Sequence, residues 1–461
     1  MTRVTWLERI MNTVADRGRD LLGLREDAAQ DTLPELCARL IGGRGEATNI
    51  ALAREILRRF DGLDEDQKTA FFVTLAEQFG PDPERIRVAA ADFDKERPET
   101  LVHLMEVVEP PRQELFRRLN MAPNGTASLV AMRADLLRRL RKQPLLNVVD
   151  ADFRHLLASW FNRGFLRLQR IDWHSPATVL EKLMRYESVH PIMGWDDLHR
   201  RLDEDRRCYG FFHPALPEEP LIFVEVALTR QTADQIAPLI DPKSEVTEPD
   251  AADTAMFYSI NNALRGLRGI SFGNFLLKQV LSELSAELPQ LQHFVTLSPL
   301  PRFAERLDLI LARGIDEWST DRLDRLLQEF QPALQQRVGQ LSPVAALREL
   351  LDEGADRHAE VLAGPLARLA LLYISALKRS PGVCCDPVAA FHLANGAILE
   401  RINVYADCSE RGMAQSHGVM VNYRYDPEQV VANHEAFVQD GRIVMSRALQ
   451  REFDRHLVDA S

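Results

Sequence analysis

Three short segments hold residues whose types and spacing suit chemistry. The first, residues 265–274, reads RGLRGISFGN. Its glycines let backbone N–H groups approach an anion closely, because no side chain stands in the way. The N-terminus of a following helix would add partial positive charge, so a pyrophosphate is the ligand this loop suits; a Gly-rich connection without a ligand is the plain alternative. It is not a P-loop, because the GK[ST] ending is absent, and its surroundings do not suit a dinucleotide fingerprint. The second segment is residues 294–303, FVTLSPLPRF. Ser298 stands where a strand ends and Pro299 fixes the exit, which predicts an exposed hydroxyl at the rim of a sheet; a Ser-Pro turn or helix cap is the alternative. In the third, His392 lies between Phe391 and Leu393, just before the turn signal Asn395-Gly396. An imidazole titrating near its ordinary value of about 6.5 suits proton transfer at neutral pH, and a structural histidine is the alternative. Other constellations fail. His434-Glu435 begins like a zinc-binding helix but has no second His four residues after the first, no GxSxG element occurs, and no two carboxylates are paired by spacing.

The elements that would position these residues change character along the chain. Up to about residue 170 apolar residues recur at helical spacing, as in Ala53, Ile56, Leu57 and Phe60, in Phe72, Leu75, Ala76 and Phe79, and in Phe153, Leu156, Leu157, Trp160 and Phe161. One stripe per segment is what packed amphipathic helices require. Breaks fall at Gly42-Gly43, Pro81 to Pro83, Pro110-Pro111 and Pro123 to Gly125. Residues 1–172 are therefore expected to form a helical bundle with a scaffolding or oligomerisation role. After Ser175-Pro176 strands are expected over Arg207–His213 and Leu221–Leu228, the latter with Ile222, Val224, Val226 and Leu228 on one face and Pro214–Pro220 as the hairpin connection. A strand over Thr254–Ile260, a helix from about Gly273 to Leu288 and a strand over His293–Leu297 follow. A long helical stretch, about 302–378, and short strands near Asn403–Ala406 and Val419–Tyr423 complete the pattern. The expected fold is α+β in two domains, with residues 173–461 forming a mixed α/β domain that carries a helical insertion.

Composition narrows the function classes. The chain has 461 residues and a net charge of −12, which argues against general nucleic-acid binding. The Arg pairs Arg58-Arg59, Arg117-Arg118, Arg138-Arg139 and Arg206-Arg207 lie beside acids or on expected helices and read as solvated helix faces. Five cysteines, without a CxxC pair, fit free thiols in a reducing compartment and give no zinc signature; Cys384-Cys385 is a vicinal pair. The first ten residues lack the apolar core of a signal peptide. The apolar run Leu369–Leu377 is far short of the ~20 residues a membrane span needs, and Asp459 to Ser461 is not a peroxisomal address. A cytoplasmic protein is expected.

The loop Arg268–Gly273 resembles the coenzyme A loop of the GNAT superfamily, [QR]xxGx[GA], with Ser271 where the first glycine stands; serine still offers its backbone N–H there. The segments taken together closely resemble the malonyl-CoA decarboxylase family. Matches run through His190-Pro191, Arg206-Arg207-Cys208-Tyr209, Glu219-Pro220-Leu221, Val226-Ala227-Leu228-Thr229, Phe257-Tyr258-Ser259-Ile260 and the Leu297-Ser298-Pro299 segment. They continue through His392-Leu393, Asn395-Gly396-Ala397, Arg401-Ile402-Asn403 and Asn422-Tyr423-Arg424-Tyr425, from about residue 180 to 426. The resemblance implies a helical N-terminal domain before a GNAT-like catalytic domain, and a catalytic pair carried by Ser298 and His392. It also implies malonyl-CoA held by Arg268, Gly269, Ile270, Ser271, Phe272, Gly273 and Asn274, no metal or organic cofactor, and a homo-oligomer. His392 is then expected to protonate an enolate left by loss of CO2. A GNAT-type acyltransferase would use the same loop but needs an acceptor amine and a base, and a non-catalytic coenzyme A sensor would bind without turnover.

Overall fold

The structure is a computed structural model that describes Thr13 and residues 31–43, 45–270, 276–314, 318–376 and 386–456. Ser271, Phe272, Gly273 and Asn274 of the expected phosphate loop lie outside the described residues, as do Cys384-Cys385 and the terminal segments from which targeting was read. The chain divides into two compact units. The first holds the residues up to Arg167 together with 212–221 and 262–272; the second holds 168–211, 222–261 and the chain from 273 onward.

The first unit contains helices α1 (Leu33–Gly42), α2 (Glu46–Asp61), α3 (Glu65–Gln78), α4 (Pro83–Asp92), α5 (Pro98–Val108), α6 (Pro111–Leu119), α7 (Gly125–Leu137) and α8 (Asn147–Trp160). Helices start and stop where the sequence demands. Proline opens α4, α5 and α6 within the first turn, where its missing N–H costs nothing. At α3, Asp64 accepts the Gln67 N–H at 2.8 Å while Gln67 Oε1 accepts the Asp64 N–H at 3.0 Å, a reciprocal cap that satisfies two otherwise unpaired donors. The apolar stripes meet in a core with Ile56, Phe60, Phe72, Leu75, Phe116 and Phe153 buried, and the Phe116 and Phe153 rings stack at 4.1 Å. The turn Arg265–Leu267 belongs to this unit and is tied to α7. Arg133, buried and paired with Asp150 at 2.8 Å, donates to the Gly266 carbonyl at 2.6 Å. A Cβ at Gly266 would lie 1.9 Å from the Val130 carbonyl oxygen, so only glycine permits this approach.

The second unit is built on strands β1 (Arg167–Ile171), β2 (Arg206–Phe212), β3 (Ile222–Thr229), β4 (Thr254–Asn262), β5 (His293–Thr296), β6 (Ser298–Pro299), β7 (Ile398–Asn403) and β8 (Met420–Tyr425) in one sheet, ordered β1-β2-β3-β4-β5-β8-β6 with β7 also on β8. The β2/β3 pair is an antiparallel hairpin, β4 and β5 are parallel, and β8 runs antiparallel to β5, β6 and β7. Helix α9 (Ala177–Tyr186), α10 (Trp195–Arg201), the short α11 (Ala237–Ile240) and α12 (Leu276–Glu287) accompany these strands. Among the described residues the helical insertion holds five α-helices, α13 (Phe303–Arg313), α14 (Thr320–Leu326), α15 (Gln331–Val338), α16 (Pro343–Gly354) and α17 (Ala359–Ser375). Then come α18 (Pro387–Ala394), α19 (Glu410–Ser416), α20 (Val430–Asp440) and α21 (Arg447–His456). Among the described residues no helix is long and apolar enough to cross a membrane.

The mixed α/β architecture and helical insertion are as the sequence leads one to expect, and four local readings change. β3 is buried on both faces from Ile222 to Leu228, because Glu225, on the expected polar face, pairs inside with Arg201 at 3.1 Å. Arg206-Arg207 is not a solvated helix face: it opens β2 and is buried, with Arg206 paired to Asp205 at 2.7 Å and Arg207 to Glu287 at 2.8 Å. The expected strand Asn403–Ala406 ends where it was to begin. β7 is formed by the residues before it, and Tyr405 takes the left-handed conformation, φ 57°, which terminates extension. Strand β1 lies in a range expected to be helical bundle.

Candidate active site

Ser298 and His392 are 94 positions apart in sequence and meet through β8. β5 and β6 pair with the same edge of β8, Val295 opposite Arg424 and Ser298 opposite Val421, so the bend at Leu297 keeps Thr296 and Ser298 together. His392 comes from α18, and Asp386 sets where that helix begins. The Asp386 carboxylate accepts the N–H groups of Val388 at 2.9 Å and Ala389 at 3.0 Å, with Pro387 at the first helical position, an N-cap that fixes the first turn. The same carboxylate accepts the Arg302 N–H at 3.3 Å, which ties the helix of His392 to the segment leaving Ser298. Burial raises the Asp386 pKa against these donors. At the other end of α18 the turn needs glycine: Gly396 has φ 81°, and a Cβ would lie 1.9 Å from the Val430 carbonyl oxygen.

The Ser298 hydroxyl lies 2.9 Å from His392 Nε2 and 2.9 Å from Thr296 Oγ1, and His392 Nδ1 is 2.8 Å from the Tyr425 hydroxyl. Thr296 Oγ1 also accepts the Tyr423 N–H at 3.2 Å. The imidazole stacks on the Tyr423 ring with centroids 4.5 Å apart. The result is an unbroken line of hydrogen-bonding groups, Thr296, Ser298, His392 and Tyr425. With Ser298 donating to Thr296, Nε2 carries the histidine proton and Nδ1 accepts from Tyr425; with the order reversed, Ser298 donates to Nε2 and Nδ1 donates to Tyr425. Each order satisfies all three links, so a proton moved along the line converts one order into the other. Ser298 is 7% and His392 2% exposed. The expected exposed serine is thus covered, because α18 and the Tyr423 and Tyr425 side of β8 close over the sheet rim. Burial alone pushes the His392 pKa down to about 3 and raises that of Tyr425 well above the usual phenol range, so the imidazole is neutral at pH 7.

The described part of the expected coenzyme A loop, Arg268 to Ile270, belongs to the first unit, with Arg268 and Gly269 exposed, Ile270 buried and Gly269 at φ 76°. Sequence reading singled out Ser298 and His392 but assigned no role to Thr296, Asp386, Tyr423 or Tyr425. The Asp386-Pro387 dipeptide is a helix-start signal that was there to be read. The two tyrosines carried only the signal of membership in a quoted match.

Known proteins resemble this chain along nearly all its length. Residues 79–161 match the family model described as malonyl-CoA decarboxylase N-terminal domain, and residues 164–460 match the malonyl-CoA decarboxylase C-terminal domain. The mitochondrial malonyl-CoA decarboxylase of Mus musculus is 33% identical over 460 residues, covering 94% of this chain and 92% of that protein; that of Anser anser anser is 35% identical, covering 83% and 79%. Among solved structures, the malonyl-CoA decarboxylase of Rhodopseudomonas palustris is 47% identical with a TM-score of 0.81, covering 91% of this chain and 98% of that one. The enzyme of Cupriavidus metallidurans is 36% identical with a TM-score of 0.70, covering 95% and 100%. With both family domains matched in order and relatives this similar over most of their length, the chain belongs to the malonyl-CoA decarboxylase family.

Proposed function

We propose that this protein converts malonyl-CoA to acetyl-CoA and CO2 at Ser298 and His392. The observation that carries the assignment of the site is the buried Ser298–His392 pair at 2.9 Å, held in a line of uncharged partners. Decarboxylation needs three things: a carboxylate oriented so that its C–C bond lies perpendicular to the thioester plane, donors for the charge that grows on the thioester oxygen, and a proton for the enolate carbon. Ser298 hydrogen-bonds and orients the malonyl carboxylate. A neutral, dry setting disfavours that carboxylate relative to neutral CO2, which drives the bond to break. His392 Nε2 then gives its proton to the enolate carbon, and the imidazole recovers one from solvent, so each turnover consumes one proton. An incoming carboxylate also raises the proton affinity of a histidine that has no other charged neighbour in its hydrogen-bonded line; neutral CO2 leaves that charge behind on the enolate, and it is quenched only when the carbon takes the proton.

An acyltransferase reading fits the same residues less well. Acyl transfer also needs an acceptor amine and a group to deprotonate it, and the hydrogen-bonded line through His392 holds no carboxylate that would make the imidazole a stronger base. The loop 268–274 is proposed to hold the phosphates of malonyl-CoA, and Arg133 and Gly266 fix the turn from which it leaves. The strand–loop–helix–strand order of β4, α12 and β5, with parallel strands, supports a GNAT-like reading of the sheet. Residues 1–172 are proposed as scaffold and oligomerisation domain. A reducing compartment, the cytoplasm in this proposal, fits the buried free thiols Cys37 and Cys208; "mitochondrial" in the names of the animal relatives describes those proteins.

The deciding experiment incubates purified protein with malonyl-CoA, without added metal or acceptor, and follows acetyl-CoA and CO2. Equal amounts of both are expected, and His392→Ala is expected to lower kcat by roughly 10²–10⁴ with a modest change in KM. Ser298→Ala should impair the same step. Turnover by His392→Ala at the wild-type rate would refute the proton-donor role, and a Ser298→Ala variant that loses only affinity would make Ser298 a binding residue.

A further inference from the structure

In the second unit a cleft of about 890 Å3 opens between α17, the first turns of α21 and the outer strand β7. Five arginines line it: Arg368, Arg401, Arg424, Arg447 and Arg451. Two are spoken for by carboxylates. Arg368, buried at the base, is paired with Glu329 and Glu452, and Arg424 with Glu400 at 3.0 Å. The other three keep their charge. Arg401 is bonded to neutral groups, Asn422 Oδ1 at 3.1 Å and the Thr232 carbonyl at 3.3 Å. Among the described residues Arg447 and Arg451 have no carboxylate partner, and Arg451 Nε donates only to the Arg447 carbonyl, at 3.1 Å. α21 also starts here: Ser446 Oγ accepts the Leu449 N–H at 3.3 Å, and Ser446, Arg447 and Ala448 line the cleft, so the positive end of the helix faces the same space. The other wall is apolar, with Phe330, Ala367, Leu371 and Ile402; the Arg368 guanidinium lies 4.6 Å from the Phe330 ring centre.

This cleft is not the Ser298–His392 site. Side chains alternate along a strand, so Arg424 leaves β8 on the face opposite Tyr423, the residue that stacks on His392.

We infer that the cleft binds an amphipathic organic anion, a carboxylate or phosphate head on an apolar body. The head is taken by Arg401, Arg447, Arg451 and the first turn of α21, which together offer planar donors matched to carboxylate and phosphate oxygens. The body lies on Phe330, Leu371 and Ile402. Size and charge both argue for this class. The volume is that of an organic-ligand pocket, so an inorganic ion would leave most of it unfilled. A neutral ligand would cover three guanidiniums without pairing them, which is unfavourable.

Calorimetric titration of the full-length protein with decanoate, decyl phosphate, decanol and inorganic phosphate, all below micelle-forming concentrations, tests this. At least one of the two amphipathic anions should bind one site per chain at least tenfold more tightly than decanol or inorganic phosphate. The preferred anion identifies the head as carboxylate or phosphate. The double variant Arg447→Gln/Arg451→Gln should weaken that binding at least tenfold, leave malonyl-CoA turnover unchanged without the probe, and behave the same with coenzyme A present. Decanol binding as tightly as the anions, an unaltered affinity in the double variant, displacement of the probe by coenzyme A, or no anion binding up to millimolar concentration would each overturn the inference.

Discussion

A histidine sealed from water and offered only hydroxyl partners stays neutral, and that single condition shapes both the chemistry and the acid sensitivity of the protein. His392 is held down to about 3 and His190 to about 4, in both cases chiefly because burial penalises the charged ring; partial burial lowers His213 and His417 as well. In the unfolded chain these rings titrate near about 6.5. Between that value and the folded ones the unfolded state binds protons that the native state does not. The stability each neutral ring contributes is therefore complete above about pH 6.5 and is lost as pH falls toward its folded value. Denaturant unfolding of the wild type and of a histidine variant, followed from pH 7.5 to 5, separates the share of each ring from the opposite slope of Glu225, whose carboxyl burial pushes up to about 8. Each of the two deeply buried rings contributes a slope of up to roughly 1.4 kcal/mol per pH unit, and His392→Gln should remove one such share from the slope. An unchanged slope in that variant would mean that the ring takes up protons as readily in the folded protein as in the unfolded chain. In the same variant series Tyr425→Phe, which leaves Nδ1 without its hydroxyl partner, is expected to lower kcat more than it raises KM, since it disturbs the proton order rather than substrate binding.

At the scale of elements, what matters is that an octapeptide helix with one useful side chain is clamped at both ends. Asp386 caps α18 and holds the Arg302 N–H, while Asn395-Gly396 closes the helix against Val430. Asp386→Ala is expected to cost about 1 kcal/mol as a lost cap. It should also lower kcat more than tenfold with KM little changed, because a displaced imidazole no longer meets the reacting carbon. Asp386→Asn, which still caps, should recover most of the stability. Loss of stability without loss of kcat would reduce Asp386 to a fold-stabilising residue. The helix was visible in the sequence only as an apolar stretch between Asp386-Pro387 and Asn395-Gly396. Its signals are local, as capping always is, whereas the contact to Arg302 joins segments 84 positions apart and no local pattern announces it.

At the scale of the whole molecule, one helix presents a face that nothing within the described chain covers. On α5, Leu101, Val102, Met105 and Val108 follow the spacing of a single stripe, and Val102 is 56% and Met105 66% exposed. A stripe of this kind is what a bundle uses to meet a partner, and it supports the proposed homo-oligomer. Sedimentation at micromolar concentration is expected to give a multiple of the monomer mass, and Val102→Glu/Met105→Glu to lower it. A monomeric wild-type protein would end that proposal.

The sequence by itself determined the helical first region, most of the strands, and the two residues proposed for catalysis, because periodicity, proline and glycine breaks, and the ordered family matches are all written along the chain. Only the tertiary structure decided that Ser298 is covered rather than exposed, that Arg206, Arg207 and Glu225 lie inside among opposite charges, and that Thr296 and Tyr425 complete the line through His392. The reason is physical. Burial and charge pairing depend on residues brought together from distant parts of the chain, and a strand residue looks the same in sequence whether its partner is water or an arginine.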